Sequence, residues 1–233
     1  MSTEHCLQVV ARIRSDFPAK FGVPRQSGLI EELTAAVIFE PPYRNMEAVR
    51  GLEAFSHIWL IWQFSQARRD SWSPTVRPPR LGGNTRMGVF ATRSPFRPNA
   101  IGLSSVRLTH IEQHPDFGPV LHVAGADLID GTPIYDIKPY LPRFDSHPDA
   151  AGGFTDNLAE ELLTVDFPSA LLALFPQDRQ QALLSVLAHD PRPAYQDDPV
   201  RLYGLSFAGY DIGFTVCGQI LTVHTVQPLA VAD

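Results

Sequence analysis

The chain has little cysteine. Cys6 and Cys217 are the two residues of this type in 233, and no Cys-x-x-Cys occurs. A disulfide framework is excluded, and a reducing cytoplasm is the expected compartment. No apolar run approaches the roughly 20 residues that cross a bilayer, so no membrane role is expected. Residues 1–6 lack the basic flank and apolar core of a signal peptide. No two of the 16 glycines stand at i and i+2. That removes the Gly-x-Gly-x-x-Gly turn of dinucleotide folds, and a Gly-x-x-x-x-Gly-Lys-Ser/Thr phosphate loop is missing as well. There is no Gly-x-Ser-x-Gly nucleophile elbow. His110 and His114 stand at i and i+4, but the acid between them, Glu112, is third rather than second, and Pro115 follows at once. A zinc-protease helix is excluded, and the segment reads as a polar strand end or loop. His57, inside an apolar run, reads as a hydrogen-bonded core residue. No metal is expected.

What the chain has in excess is proline and locally concentrated arginine. The 21 prolines group at 74–98 and 133–142, with more at 191–193. Proline lacks an amide donor, so these zones read as stiff, ordered loops rather than central strands or helices. The formal charge is −6, yet Arg68, Arg69, Arg77, Arg80, Arg86, Arg93, Arg97 and Arg107 face one acid, Asp70, in the same stretch. That block carries +7, so the remaining residues carry −13. Segregation of this kind gives an acidic protein one basic face that attracts a polyanion. Arginine's planar fork suits carboxylate and phosphate and stacks on bases. Pro95, Phe96, Pro98, Asn99 and Gly102 interleave these arginines and give the loop a fixed shape.

The first part of the chain predicts β-structure. Leu7, Val9, Ala11 and Ile13 alternate with Gln8, Arg12 and Arg14. Further β-prone runs fall at 34–39, 55–64, 87–92, 103–111, 120–129 and 133–137, separated by Gly, Pro and Asp turns, which suggests a sandwich or barrel. The run 55–64 is apolar at most positions and reads as a strand buried on both faces. Residues 143–156 read as a linker. Beyond it, 168–175 and 176–189 are helical in composition, with Ala182, Leu183, Val186 and Leu187 on one face. Two β-runs, 211–217 and 220–226, join at Gly218 and Gln219 like a hairpin. The fold class is therefore mainly β, with a small α+β unit of about 70 residues that is marginal alone and docks on the first.

Four segments have no packing rationale. They are Pro24-Arg25-Gln26 between Gly22 and Gly28, the arginine loop, the run from Asp127 to Tyr140 with its Asp130-Gly131 turn, and Asp190-Pro191-Arg192-Pro193-Ala194-Tyr195. Arginine and tyrosine on stiff loops suit phosphate and base contacts. Together with the run 55–60 (Phe-Ser-His-Ile-Trp-Leu), Thr92-Arg93-Ser94-Pro95-Phe96-Arg97-Pro98-Asn99, Ile101-Gly102-Leu103-Ser104, Asp130-Gly131-Thr132-Pro133 and Asp136-Ile137-Lys138-Pro139-Tyr140, they resemble, in order and over nearly the whole chain, the TrmO (YaeB/TsaA-like) family. Its members are S-adenosylmethionine-dependent tRNA methyltransferases acting on N6 of threonylcarbamoyladenosine at position 37.

The resemblance implies an N-terminal β-barrel methyltransferase domain unrelated to the Rossmann type over 1–145, a small C-terminal domain over 160–233, and a homodimer. The cofactor contacts it implies are Pro24, Arg25, Gln26, Ser65, Gln66, Arg93, Leu103, Asp130, Gly131, Thr132 and Pro133. Expected tRNA contacts are Arg97, Lys138, Arg192 and Tyr195, with Arg192 on a phosphate and Tyr195 stacked near an anticodon-loop base. Transfer from a sulfonium to nitrogen is an in-line displacement, which asks chiefly for positioning and exclusion of water. Asp130 and Asp136 are the candidate bases, and the sequence leaves transfer without any protein base equally open. The competing readings are an RNA-binding barrel without catalysis and a hydrolase acting on a phosphorylated small molecule.

Overall fold

The structure, a computed structural model, describes residues 5–67, 71–78, 85–156, 161–192 and 198–229. Tyr195 and three arginines of the basic block, Arg68, Arg69 and Arg80, lie outside the described residues. In chain order the strands are β1 (Ala11–Arg14), β2 (Thr34–Phe39), β3 (His57–Gln63), β4 (Thr75–Val76), β5 (Met87–Gly88), β6 (Ile101–His114), β7 (Gly118–Ala124), β8 (Pro133–Pro139), β9 (Thr164–Asp166), β10 (Tyr203–Phe207), β11 (Tyr210–Cys217) and β12 (Ile220–Pro228).

Six of these close into a barrel in the order β1-β2-β7-β6-β3-β8, so neither side is left as an unpaired edge. Alternate residues fill its interior, among them Ile13, Val37, Ile58, Leu60, Leu121 and Ile134. The alternation corrects the expectation for 55–64. In β3 only Ile58, Leu60 and Trp62 are buried, while His57, Trp59, Ile61 and Gln63 are half-buried on the outer wall. These outer aromatics are covered locally: Trp59 packs on Tyr140 at 5.6 Å and donates from Nε1 to Asp145 at 3.0 Å. His57 is likewise no core residue; its ring contacts the Ser56 hydroxyl at 2.9 Å. The run at 87–92 yields a two-residue strand and then a single 3-10 turn, Val89–Ala91. The His110–His114 segment is a strand end, with His110 stacked on His122 across the β6–β7 ladder at 4.1 Å.

The second unit is a four-stranded sheet in the order β10-β11-β12-β9, backed by the helix Gln177–Ala188. That helix buries Ala182, Leu183, Val186 and Leu187, the face its periodicity predicts. Two strands escape the sequence pattern. β9 has three residues, and β10 carries a weak strand former, Gly204.

The connection between β1 and β2 packs on this second unit. Phe17, Ile30 and Leu33 belong to its core, and Phe17 meets Phe207 edge-on at 5.2 Å. The Ala208 amide donates to the Asp16 carbonyl at 2.9 Å. Arg179 of the helix pairs with Asp16 at 2.9 Å and donates to the Thr34 hydroxyl at 2.6 Å. Burial raises the Asp16 carboxyl above its ordinary range although Arg179 opposes the shift. A loop that would otherwise be free is thus clamped between the two units, and this loop carries Pro24, Arg25 and Gln26.

Candidate active site

Each segment singled out from the sequence is held by its own local chemistry. In the arginine loop, the Thr92 hydroxyl donates to the Val89 carbonyl at 2.9 Å and accepts from the Ser94 amide at 3.3 Å. The Ser94 hydroxyl in turn accepts from the Phe96 amide at 3.2 Å. Short hydroxyl side chains closing on nearby backbone are what fix such turns. Arg97 Nη1 donates to the Thr92 carbonyl at 2.7 Å, bracing the loop from inside. The Asp130-Gly131 turn is stitched to β1: the Gly131 amide donates to the Ile13 carbonyl at 2.8 Å, and Gly131 adopts φ +73°, a value that favours glycine. Ser65 and Gln66 follow β3 in a tight turn, with the Phe64 amide bonded to the Ala100 carbonyl at 2.9 Å.

Side chains then join these segments across long sequence separations. Gln26 donates to the Arg25 carbonyl and accepts from Arg93 Nη1, so the β1–β2 connection and the arginine loop are tied together. Arg25 Nη2 donates to the Asp190 carbonyl at 3.4 Å, which ties the same connection to the second unit. Between them opens a cavity of about 520 Å³. Pro24, Arg25 and Gln26 form one wall; Ser65 and Gln66 another; Arg93, Arg97, Leu103 and Thr132 complete the contribution of the expected residues. Arg97, expected on RNA, therefore shares the cavity with the expected cofactor contacts.

The floor holds a group that the sequence pattern does not single out. The buried Trp62 donates from Nε1 to Ser104 Oγ at 2.9 Å, and that hydroxyl donates to Asp127 Oδ1 at 2.6 Å. Gly102 makes room for this arrangement, because a Cβ there would fall 2.3 Å from the Trp62 indole. Desolvation pushes the Asp127 carboxyl above its ordinary value; the bond from Ser104 and the charge of Arg93 oppose the shift without cancelling it. Among the described residues, Asp127 is the one acid that lines the cavity. A perturbed carboxyl in a pocket is a recognised signature of a working group. Its hint in the sequence is its place at the head of the Asp127–Tyr140 run, which stands out as a segment without a packing rationale but does not mark Asp127 within it.

Other expected residues lie elsewhere. Asp130 accepts from the Ser15 amide at 3.1 Å and pairs with Arg14 at 3.3 Å; it is not on the cavity wall, and neither are Gly131 and Pro133. Asp136 and Lys138 pair with each other at 2.8 Å outside the cavity lining, with Asp136 also accepting from the Ile137 amide. Arg192 is turned back on Asp190, with Nε at 2.9 Å from Oδ1 and Nη2 at 2.9 Å from Oδ2. Its guanidinium is nearly covered and sits over Tyr203 at 5.9 Å. The arginine therefore braces the turn whose carbonyl receives Arg25.

Among known proteins, the tRNA-methyltransferase O N-terminal domain matches residues 12–146 and the TrmO C-terminal domain matches residues 160–229. The tRNA (adenine(37)-N6)-methyltransferase of Escherichia coli (strain K12) is 43% identical over 224 residues, covering 93% of this chain and 95% of its own. The enzyme of the same name from Eikenella corrodens is 47% identical over 176 residues, 75% of this chain and 98% of its own. A crystal structure of TrmO from Pseudomonas aeruginosa superposes with a TM-score of 0.79 at 33% identity, covering 98% of this chain and 99% of that one. With both parts matched in order, and a relative this similar over nearly its whole length, the chain belongs to the tRNA-methyltransferase O family.

Proposed function

We propose that this protein transfers a methyl group from S-adenosylmethionine to N6 of the adenine at position 37 of tRNA, and that its acceptor is the threonylcarbamoyl form of that nucleoside. The observation that carries this reading is convergence: residues from 24–26, 65–66, 93–97 and 132 line one cavity although the chain separates them widely. Its volume of about 520 Å³ falls in the range of small-molecule sites. The donor set fits the cofactor. Arg25 and Arg93 offer forked cations for a carboxylate, and Phe64 and Leu103 supply apolar wall for a purine.

Bound there, S-adenosylmethionine supplies a methyl group already activated by its sulfonium. The chain's own part is positional. Gln26 holds Arg93 and the Arg25 backbone in one arch, and the clamp of the β1–β2 connection on the second unit keeps that arch in place. Such fixed placement contributes strongly to the rate of an in-line displacement. Asp127 is the lining carboxyl able to receive the proton that N6 loses, and Ser104 orients it through Oδ1. Within this reading the barrel unit spans 1–145 and the small unit 160–233. Ile101 and Leu103, exposed on the outer face of β6 where they also line the cavity, leave an apolar rim that a second copy can cover, which supports a homodimer. No helix among the described residues is long and apolar enough to cross a membrane, and a tRNA substrate suits the cytoplasm.

The test is methyl transfer to purified tRNA carrying the threonylcarbamoyl group and to the same tRNA without it, followed by nucleoside chromatography. Product only on the modified tRNA supports the proposal. Equal transfer to both removes the acceptor assignment, and cofactor or RNA binding without any transfer returns the protein to a binding role.

A further inference from the structure

Neither core and no wall of the cavity accounts for Trp72 and Phe90. Phe90 is 73% exposed and Trp72 52% exposed, although they lie against each other with ring centroids 6.3 Å apart. Their meeting is built by the backbone. The Val89 amide donates to the Pro74 carbonyl at 2.9 Å, and the β4–β5 ladder pairs Thr75 with Gly88 and Val76 with Met87. Val89 itself is buried, so the 3-10 turn is anchored while the next side chain stands out into solvent. Arg97 supports that turn from behind, donating to the Thr92 carbonyl and placing its guanidinium 5.8 Å from the centre of the Phe90 ring. The turn that carries Phe90 is thus anchored, and two large rings stand against each other in water with a cation beside one of them. The turn continues directly into Thr92 and Arg93 on the cavity wall.

We propose that Trp72 and Phe90 form a stacking shelf for the unpaired bases next to the target adenosine of tRNA; this rests on the tRNA reading above. A base has a π-face whatever its sequence, so rigid exposed aromatic rings bind single-stranded nucleotides without needing base-specific bonds. Anticodon-loop bases must be splayed from their neighbours before one of them can enter a cavity, and a shelf at the rim compensates the lost stacking. The surrounding charge favours this occupant over a second copy of the chain. Arg77, Arg86 and Arg93 are all exposed around the shelf, and two such faces repel each other while a phosphate backbone is attracted.

The test uses the full chain and full-length tRNA bearing the acceptor nucleoside, with Phe90→Ala, Phe90→Tyr, Phe90→Leu and Trp72→Ala. The expected result is a KM for tRNA about tenfold higher in each alanine variant, with kcat and S-adenosylmethionine affinity unchanged. Phe90→Tyr should behave like the native protein, and Phe90→Leu should not rescue, because an apolar side chain without a π-face cannot stack. Replacing the two flanking nucleotides by abasic ones should erase the difference between the native protein and the Phe90→Ala variant. A native KM in Phe90→Ala, full rescue by leucine, or a change of sedimentation state that accounts for the loss would each overturn the shelf. If the native protein methylates tRNA and the variants match it, only the shelf fails; if the native protein does not methylate tRNA, the reading beneath it fails first.

Discussion

The segment from Asp127 to Lys138 carries three aspartates, and its two ends meet opposite surroundings. At one end Asp127 sits on the cavity floor, desolvated and bonded to the buried Ser104. At the other, Asp136 lies outside the cavity lining in a half-exposed pair with Lys138. Asp130, between them, caps the turn that joins the two by accepting from Ser15. The same contrast divides the arginines. Arg93 reaches across the cavity to Gln26, whereas Arg192, flanked by prolines, folds back on an acid two residues earlier. Residue type is alike in each pair. What differs is whether a local partner satisfies the group before a ligand can.

The sharpest way to break this comparison is Asp127→Asn. If Asp127 takes the N6 proton, kcat should fall about a hundredfold, in the usual range for losing a general base. The native rate should also rise with pH as the carboxyl, held above its ordinary value, loses its proton. The stability effect runs the other way. A carboxyl whose folded pKa is raised penalises folding: the penalty is absent below the ordinary value of 3.8, grows as pH climbs to the elevated value, and persists above it. The Asp127→Asn variant should therefore melt higher than the native chain at pH 7, and the gap should close in acid. A variant that loses rate and also melts lower at pH 7 would make Asp127 a structural tie instead.

Arg93→Ala comes next. Loss of one charge-assisted contact to a carboxylate should weaken S-adenosylmethionine binding by about tenfold or more, measured by calorimetry. The side chain is exposed, so the melting temperature should hardly move. The matching change at the other arginine should invert that pattern. Arg192→Ala leaves Asp190 without its bidentate partner, and we expect a stability loss of about 1–3 kcal/mol in denaturant titration. The salt slope of tRNA binding should stay where it was, whereas a residue on a phosphate would flatten it by about one unit.

These pairs also show which parts of the molecule are legible in the sequence. A β-prone run bounded by turns locates β2 to the residue, and hydrophobic periodicity locates the inner face of the helix Gln177–Ala188, because burial imposes a period that survives in one dimension. It misleads at β3, since Trp59 and Ile61 look like core residues until Tyr140 and the outer wall are seen to half-cover them. The cavity segments stand out as stiff polar peptides, yet nothing local distinguishes Asp127 from Asp136. Their difference comes from Ser104 and Trp62 on other strands, contacts that only barrel closure creates. The clamp of Phe17, Ile30 and Leu33 is invisible for the same reason: isolated apolar residues in a loop give no period.

The smallest effect belongs to Asp136 and Lys138. Their side chains are 48% and 61% exposed, and an ion pair of that kind contributes under about 1 kcal/mol. Asp136→Asn and Lys138→Ala should each shift the denaturant midpoint by little, and the double variant should show coupling no larger than that. Neither carboxylate nor ammonium reaches the cavity wall, so kcat and the affinity for S-adenosylmethionine should stay at native values. The consequence for Asp136 is decisive because its residue type and place in the chain make it a candidate base. A general base removed by an isosteric amide costs on the order of a hundredfold in kcat whatever its contribution to stability. Should Asp136→Asn lose rate on that scale while Asp127→Asn keeps it, the chemistry belongs on the outer wall of the barrel, and the acceptor must approach from the side that β3 and β8 present rather than through the cavity.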